Sequence, residues 1–173
     1  SIHLIIIGTL RVHPQWMPGD DYYGLDSTLA PRDVAAEGQL WMEENALERA
    51  EAERPVSVIR ASNVQGIPLS GPPGNGILHK WAEESQMGWI NIPGDGSNVK
   101  DFVHVVDLVK VVGAILSNPP PTRESFAVGS GKGITMQELG GVFNQKTGCD
   151  LELNQSDREE VWGVTDAYFL EYR

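Results

Sequence analysis

Short apolar runs alternate with longer helix-forming stretches along most of the chain. Five short stretches predict strands, at residues 4–7, 56–59, 89–92, 102–105 and 125–128, and the first two are expected to be buried. The stretch of residues 31–53, rich in Ala, Glu and Leu, predicts a helix that begins near Pro31, and residues 77–87 predict a shorter one. Strands that alternate with helices at this spacing favour an α/β fold with a mainly parallel sheet.

The best-defined helical pattern lies near residue 110. Apolar side chains recur there with the spacing of one helix face, namely Leu108, Val111, Val112, Ile115 and Leu116. Another helix is expected after Thr135, because Thr135 and Glu138 form a capping box. The acidic residues of the 31–53 helix predict a solvated face, and they are Glu43, Glu44, Glu48, Glu51 and Glu53.

Two segments predict loops. Residues 14–29 mix Pro, Gly, Asp and aromatic residues without a period, and residues 66–76 contain four glycines and three prolines. Tyr22 and Tyr23 lie in the first segment beside two aspartates. A tyrosine that acts as an acid needs a nearby cation to lower its pKa, whereas aspartates act in the opposite direction. These tyrosines are therefore interpreted as loop anchors.

Composition and charge narrow the classes of function. The chain has 173 residues, of which 40% are hydrophobic, so it is large enough to bury a core. Its net charge of −11 argues against a nucleic-acid surface. No apolar run could span a bilayer and no signal-peptide pattern is present, so a cytoplasmic protein is expected. The single cysteine, Cys149, and four histidines without ligand spacing predict no metal site.

A glycine-rich loop follows the strand predicted at residues 125–128. Residues 129–133 read Gly-Ser-Gly-Lys-Gly and precede the capped helix, which is the context of a phosphate-binding loop. Ile134 stands where a dinucleotide-binding motif needs glycine, and the spacing does not match a P-loop. The glycines are therefore interpreted as a sharp turn between the strand and the helix.

Two longer stretches carry a resemblance to a known family. Residues 58–66 read Val-Ile-Arg-Ala-Ser-Asn-Val-Gln-Gly, and residues 94–108 read Gly-Asp-Gly-Ser-Asn-Val-Lys-Asp-Phe-Val-His-Val-Val-Asp-Leu. They are similar to the Arg-x-x-Asn-x-Tyr-Gly and Gly-Asp-Gly-x-x-x-Arg-Asp-Phe-Val-His-Val-x-Asp segments of the extended short-chain dehydrogenase/reductase family, the NAD(P)-dependent sugar-nucleotide epimerases and dehydratases. Residues 126–139 continue in register as that family's last sheet strand and the helix after it. The resemblance covers only the C-terminal portion of such a protein.

The resemblance implies a partial doubly wound, Rossmann-like parallel sheet that lacks its first strands, with a small substrate-side lobe. Residues 1–66 and 101–148 are expected to form the sheet domain, and residues 67–100 and 149–173 the lobe. We expect a piece of a larger protein. Because uncovered sheet edges promote aggregation, an oligomer or a partner chain is expected to cover them.

The resemblance also implies NAD or NADP as cofactor, and a catalytic Ser or Thr followed by Tyr-x-x-x-Lys. Thr9 occupies the Ser/Thr position, whereas Leu29 and Asp33 fall at the tyrosine and lysine positions. Leucine has no proton to exchange and aspartate has the wrong charge, so the usual hydride chemistry is not expected. The glycine-rich strand–turn–helix that holds the cofactor pyrophosphate is also missing, which leaves the cofactor-binding residues unknown.

The substrate side of the family pattern is better preserved. Asn63 matches an asparagine that contacts the sugar nucleotide, and Lys100 stands where an arginine holds the nucleotide diphosphate. A lysine keeps the positive charge but loses the bidentate geometry of arginine. The alternatives are a turn residue after a strand for Asn63 and a solvated charge for Lys100.

Three functions remain open at this point. The first is an epimerase/dehydratase-like protein that recognises a nucleotide sugar or another small molecule, as a fragment or as a member that has lost its redox residues. The second is a non-enzymatic binding or scaffold module that kept the fold. The third is a reductase-like synthase domain that acts on a carrier-bound thioester without NAD, with Asp33 as a base.

Overall fold

The computed structural model of the protein describes residues 2–13, 27–31, 33–66 and 76–154. Most of the two predicted loops, including Tyr22 and Tyr23, lies outside these residues. None of the helices in the described ranges is long and apolar enough to cross a membrane.

Eight strands and four helices form the described part of the chain. The strands are β1 (Leu4–Thr9), β2 (Val56–Ala61), β3 (Asn63–Gln65), β4 (Trp89–Pro93), β5 (Val99–His104), β6 (Arg123–Val128), β7 (Gly133–Thr135) and β8 (Asp150–Asn154). The helices are α1 (Val34–Glu48), α2 (Ile77–Gln86), α3 (Val105–Ser117) and α4 (Met136–Thr147). A single 3₁₀ turn, Leu10–Val12, follows β1.

The central sheet is parallel, as the sequence pattern predicted. Its strand order is β1-β2-β6, and both pairings are parallel. Two smaller sheets accompany it: β3 pairs with β5 and β5 with β7, while β4 pairs with β8. The fold is thus a mixed α/β arrangement around a parallel sheet, consistent with a partial Rossmann-like fold.

Helices α1 and α3 cover opposite faces of the central sheet. Neighbouring residues of a strand point to opposite faces. Ile59 of β2 packs in a buried apolar cluster with Leu108 and Ile115 of α3. The next residue, Arg60, forms an ion pair with Glu43 of α1. The central sheet therefore lies between the two helices, as in a doubly wound fold.

The buried apolar residues form two clusters. The first joins the central sheet to β5 and α3 and contains Ile59, Ala61, Val103, Leu108, Ile115 and Val128. The second joins α2, α4, β4 and the segment before β8, and contains Trp81, Ile90, Ile92, Met136 and Cys149. Helix α4 thus packs with the second cluster. The division into sheet domain and substrate-side lobe stays a prediction.

Helix α4 begins with the capping box that the sequence predicted. The Thr135 side chain accepts from the Glu138 N–H, and the Glu138 carboxylate accepts from the Thr135 N–H, so the capping box is complete. The helix ends at Thr147 and is capped by Gly148, whose φ of 73° lies in the left-handed region that glycine tolerates best. Gly140 packs directly on Ile92, where a Cβ would lie 2.6 Å from the Ile92 Cδ1.

The first helix was predicted with the wrong limits, and one of its glutamates was wrongly assigned to the solvent. Helix α1 begins after Asp33, which caps it, and ends at Glu48, so Pro31 and Glu53 lie outside it. Glu43 was assigned to a solvated face, but it is fully buried against the sheet. The strands β3, β7 and β8 were not predicted. Three residues carry too little pattern in β3 and β7, and β8 is largely exposed and alternates polar with apolar residues.

Candidate functional site

The strands of the central sheet end together. Thr9, Ala61 and Val128 are the last residues of β1, β2 and β6, and the parallel register aligns all three. The chain continues from these ends into the 3₁₀ turn, into β3 and into the glycine-rich loop. Because open α/β sheets bind ligands beyond the carboxyl ends of their strands, this edge is the candidate site.

Thr9 and Asp33 are brought together through Arg11. The Thr9 Oγ1 accepts a hydrogen bond of 3.2 Å from the Arg11 N–H. The Arg11 guanidinium donates to the carboxylate of Asp33, and the two form an ion pair. The same carboxylate caps α1 by accepting from the Ala36 N–H at 2.9 Å. Arg11, in the 3₁₀ turn, therefore contacts both predicted site residues: Thr9 through its backbone N–H and Asp33 through its guanidinium.

These contacts determine what Asp33 can do chemically. The hydrogen bond from the Ala36 N–H, together with the Arg11 charge, lowers the pKa of Asp33 from its ordinary value of 3.8. A carboxylate with a lowered pKa is a weak base, and both of its oxygens already accept hydrogen bonds. Asp33 is therefore a helix cap and an arginine partner in this structure.

Leu29, the residue at the predicted tyrosine position, lies on a segment tied to the 3₁₀ turn. The Ala30 N–H donates to the Val12 carbonyl at 2.9 Å. The His13 Nδ1 lies 3.2 Å from the Thr28 carbonyl, and since a carbonyl only accepts, Nδ1 carries the proton. Burial lowers the pKa of His13, and the positive charge of Arg60 lowers it further, so the ring is neutral. Leu29 itself is half-buried.

A buried polar layer lies beneath the middle of α1. The Arg60 Nε donates to the Glu43 Oε2 at 2.9 Å, and the Gln39 Nε2 donates to the Glu43 Oε1 at 3.1 Å. Gly8 lies against this carboxylate. The polar layer therefore links α1 to β1 and β2.

Asn63 and Lys100 form the second part of the candidate site. Strands β3 and β5 pair so that Asn63 lies opposite Phe102, two residues from Lys100. The Asn63 Nδ2 donates to the Asp101 carbonyl at 2.9 Å, so one of its two amide hydrogens supports the strand pairing. Lys100 is half-buried and lies opposite Ile134 of β7.

The glycine-rich loop is held by the carboxylate of Asp101, which is fully buried. That carboxylate accepts from the Ser130 N–H at 2.8 Å, from the Ser130 Oγ at 2.6 Å and from the Gly131 N–H at 3.0 Å. N–H groups that could hold a phosphate are thus engaged by a side chain of the same chain. These contacts give the loop the structural role that its sequence favoured.

Four side chains of the site region were not singled out from the sequence: Arg11, Glu43, Arg60 and Asp101. Arg60 and Asp101 lie within the two family-like stretches, so the motifs themselves carried a signal for them. No sequence signal distinguishes Glu43 from the solvated glutamates around it. Within the described ranges, no group of three His, Cys, Asp or Glu side chains could hold a metal ion.

Solved structures with a similar fold include several sugar-nucleotide enzymes. An NAD-dependent NDP-hexosamine 5,6-dehydratase involved in tunicamycin biosynthesis gives a TM-score of 0.75 at 22% identity, over 89% of this chain and 50% of that chain. A dTDP-glucose 4,6-dehydratase from Bacillus anthracis, in complex with NAD, gives 0.75 at 22% identity, over 88% and 49%. An ADP-L-glycero-D-manno-heptose-6-epimerase from Helicobacter pylori gives 0.77 at 13% identity, over 99% and 52%.

These likenesses define the fold as a partial Rossmann-like fold of the kind found in epimerases and dehydratases. The chain spans about half the length of those enzymes. No family model matches the sequence, and no curated protein matches it.

Proposed function

We propose that this chain is the C-terminal, substrate-facing portion of a sugar-nucleotide epimerase/dehydratase-like protein, and that it has lost the family's acid/base pair. The observation that carries the proposal is the ion pair between Arg11 and Asp33 beside Thr9. The resemblance implies a lysine ammonium at the place of Asp33. The chain has a capped carboxylate there instead, and the nearby cation comes from the 3₁₀ turn.

The loss of the acid/base pair follows from the two side chains that replace it. Leu29 has no proton to exchange. Asp33 is engaged by Arg11 and by the first turn of α1, and its lowered pKa makes it a poor base. We therefore propose no redox step for this chain by itself.

Substrate binding is assigned to the paired strands β3 and β5, which carry Asn63 and Lys100. Asn63 keeps its carbonyl oxygen and one amide hydrogen for a ligand after its contact with Asp101. Lys100 provides a positive charge two residues away along β5, in a chain whose net charge is −11. A nucleoside diphosphate sugar, with hydroxyl groups and a diphosphate, fits this combination of a neutral amide and a cation.

The cofactor fits the described residues less well. A dinucleotide pyrophosphate needs free backbone N–H groups at a glycine-rich turn. At residues 129–133, two of those N–H groups donate to the Asp101 carboxylate, which would also repel a pyrophosphate. This loop does not fit NAD or NADP, and we assign the cofactor no contact in the described ranges.

Calorimetric titration of the chain with UDP-glucose, dTDP-glucose and NAD tests the proposal. We expect a nucleotide sugar to bind and NAD to be silent. Lys100→Met should weaken nucleotide-sugar binding by about 10- to 100-fold, the usual worth of a charged hydrogen bond. Lys132→Met is the matched control, because Lys132 is an exposed lysine of the glycine-rich loop.

Each remaining outcome favours another function. Silence towards all nucleotides contradicts the proposal and favours the binding or scaffold module. Oxidation of a nucleotide sugar by the chain alone, followed as NADH formation, contradicts the loss of the acid/base pair. Hydrolysis or cyclisation of a carrier-bound thioester would favour the synthase-like alternative, although the lowered pKa of Asp33 argues against its role as a base.

We further propose that another polypeptide covers the outer edge of β1. In the described ranges β1 pairs only with β2, and two of its apolar residues are exposed: 48% for Leu4 and 54% for Ile7. A strand edge of this kind is a template for pairing with a further strand. Size-exclusion chromatography with light scattering should detect an oligomer or a complex, and a monomer stable at high concentration would contradict this part of the proposal.

A further inference from the structure

Glu43 and Arg60 form an ion pair that is almost completely buried. The side chain of Glu43 is 0% exposed and that of Arg60 7% exposed, with 2.9 Å between Arg60 Nε and Glu43 Oε2. Gln39, one turn earlier on α1, donates to the other carboxylate oxygen. Both oxygens of Glu43 are thus held in place, one from the sheet and one from the helix.

Gly8 shows how closely this pair brings α1 to the sheet. The register places Gly8 of β1 opposite Arg60 of β2. A Cβ on Gly8 would lie 2.3 Å from the Glu43 Oε1 and 2.8 Å from the Gln39 Nε2. Since real Cβ atoms do not approach other atoms so closely, a larger residue at position 8 would force the ends of the Glu43 and Gln39 side chains to shift.

Helix α1 buries little apolar surface completely. Ala36 and Glu43 are its two buried residues. Leu40 and Leu47 are half-buried, and Trp41 is 67% exposed. A helix with a small buried apolar face can slide or rotate at low cost. A buried ion pair cannot, because separating it leaves a charge unpaired in a poorly solvated place.

We propose that Glu43 and Arg60 are positioning residues: their ion pair fixes α1 on the sheet so that Asp33, at the start of the helix, meets Arg11 beside Thr9. The inference rests on the proposed function only for its effect on ligand binding. The effect on Asp33 and Arg11 concerns the folded chain alone. A purely stabilising pair would leave the Arg11–Asp33 contact unchanged whenever the protein is folded.

The test replaces the pair by apolar residues of similar size in the double variant Glu43→Met with Arg60→Met. Such exchanges preserve or even increase stability in other proteins, because no charge is left unpaired. Two NMR measurements on the folded variant report the position of α1: the Nε–Hε signal of Arg11 and the titration of the Asp33 carboxyl carbon. The matched control is Glu44→Gln, which removes the charge of the neighbouring, exposed glutamate.

We expect the Arg11 signal of the double variant to move towards that of a solvent-exposed arginine. The pKa of Asp33 should rise towards 3.8 without reaching it, because the cap on the Ala36 N–H is retained. Glu44→Gln should change neither readout. If the double variant is folded and both readouts equal those of the wild-type chain, the inference is wrong.

A single variant decides the question if the double variant does not fold. Arg60→Lys keeps both charges of the buried pair but removes the Nε donor to Glu43, so it should change both readouts in the same direction and by less. Unchanged readouts in this variant would also overturn the inference.

Ligand binding gives a separate measurement. If the wild-type chain binds a nucleotide sugar, the folded double variant should bind it about tenfold more weakly, because a displaced α1 disturbs the carboxyl ends of β1 and β2, from which the chain leads into Asn63 of β3. If the wild-type chain binds no nucleotide sugar, the proposed function fails while the two NMR readouts still decide the role of the pair.

Discussion

Helices α1 and α3 lie on opposite faces of the same three-stranded sheet, but different forces hold them there. Leu108 and Ile115 of α3 are buried in an apolar cluster with residues of β2 and β6. Helix α1 buries Glu43 instead and leaves Trp41 exposed. Helix α3 is held by apolar surface that is removed from water, and α1 by a directional contact between two charges.

This difference has a functional meaning. Apolar contacts tolerate small shifts of a helix, whereas a buried ion pair defines its position closely. The helix with the directional contact is the one whose first turn reaches the candidate site, through Asp33 and Arg11. The contact of α3 with the sheet therefore tolerates small shifts of the helix. The contact of α1, whose first turn reaches the candidate site, does not.

The largest expected effect concerns α3. Ile115→Ala should destabilise the fold by about 2–5 kcal/mol, because it leaves a cavity in the first apolar cluster. The loss should be similar at low and high salt, since no charge is involved. Urea unfolding measures it, with Val109→Ala as a control, because Val109 is exposed on the same helix. An equal loss in both variants would show that α3 is not held by its buried face.

The next effect concerns the close approach of α1. Gly8→Ala should cost about 1–3 kcal/mol, because the new methyl group overlaps the Glu43 carboxylate. Gly38→Ala is the control, since a Cβ there meets nothing within 4 Å, and it should stabilise α1 by about 0.5–1 kcal/mol. Urea midpoints that move alike in both variants would contradict the tight seating of α1.

A smaller effect concerns the cap of α1. Asp33→Ala should cost about 1 kcal/mol, because the Ala36 N–H loses its acceptor. Asp33→Asn should recover most of this loss in thermal unfolding, since asparagine also caps helices well. If Asp33→Asn is as unstable as Asp33→Ala, the contact with Arg11 matters more than the cap.

The smallest effect is a dependence on pH. The pKa of His13 is lowered in the folded protein, so the unfolded chain binds the proton more tightly. Stability is therefore complete above about pH 6.5, the ordinary value, and is lost as the pH falls towards the lowered pKa. Urea unfolding at pH 7.5 and at pH 5.5 should show this loss. His13→Gln should flatten this dependence, and a wild-type chain that gains stability on acidification would contradict the burial of a neutral ring.

The comparison also explains what could be predicted from the sequence. Helix α3 was found from its apolar spacing and α4 from its capping box, because both signals are local. The parallel central sheet followed from the alternation of strands and helices. The burial of Glu43 could not be found this way, because it depends on Arg60, which lies 17 residues further along the chain. The start of α1 was missed although its cap, Asp33, is a local signal.

Only part of the candidate site could be predicted from the sequence. The motif around residues 94–108 drew attention to Lys100, but not to the role of Asp101, whose partners Ser130 and Gly131 come from a distant loop. Thr9 and Asp33 were named from a resemblance, and their shared partner Arg11 follows from the folded chain. The roles of Thr9, Leu29, Asp33, Asn63 and Lys100 towards a ligand stay predictions.

The position of the single thiol has a practical consequence. Cys149 is 1% exposed in the second apolar cluster, and its backbone carbonyl accepts from the Asn144 side chain. A thiol reagent can modify it only when that cluster opens. The rate at which a thiol reagent labels the wild-type chain therefore measures how fast the region around α2 and α4 opens. It reports on this region and not on the central sheet.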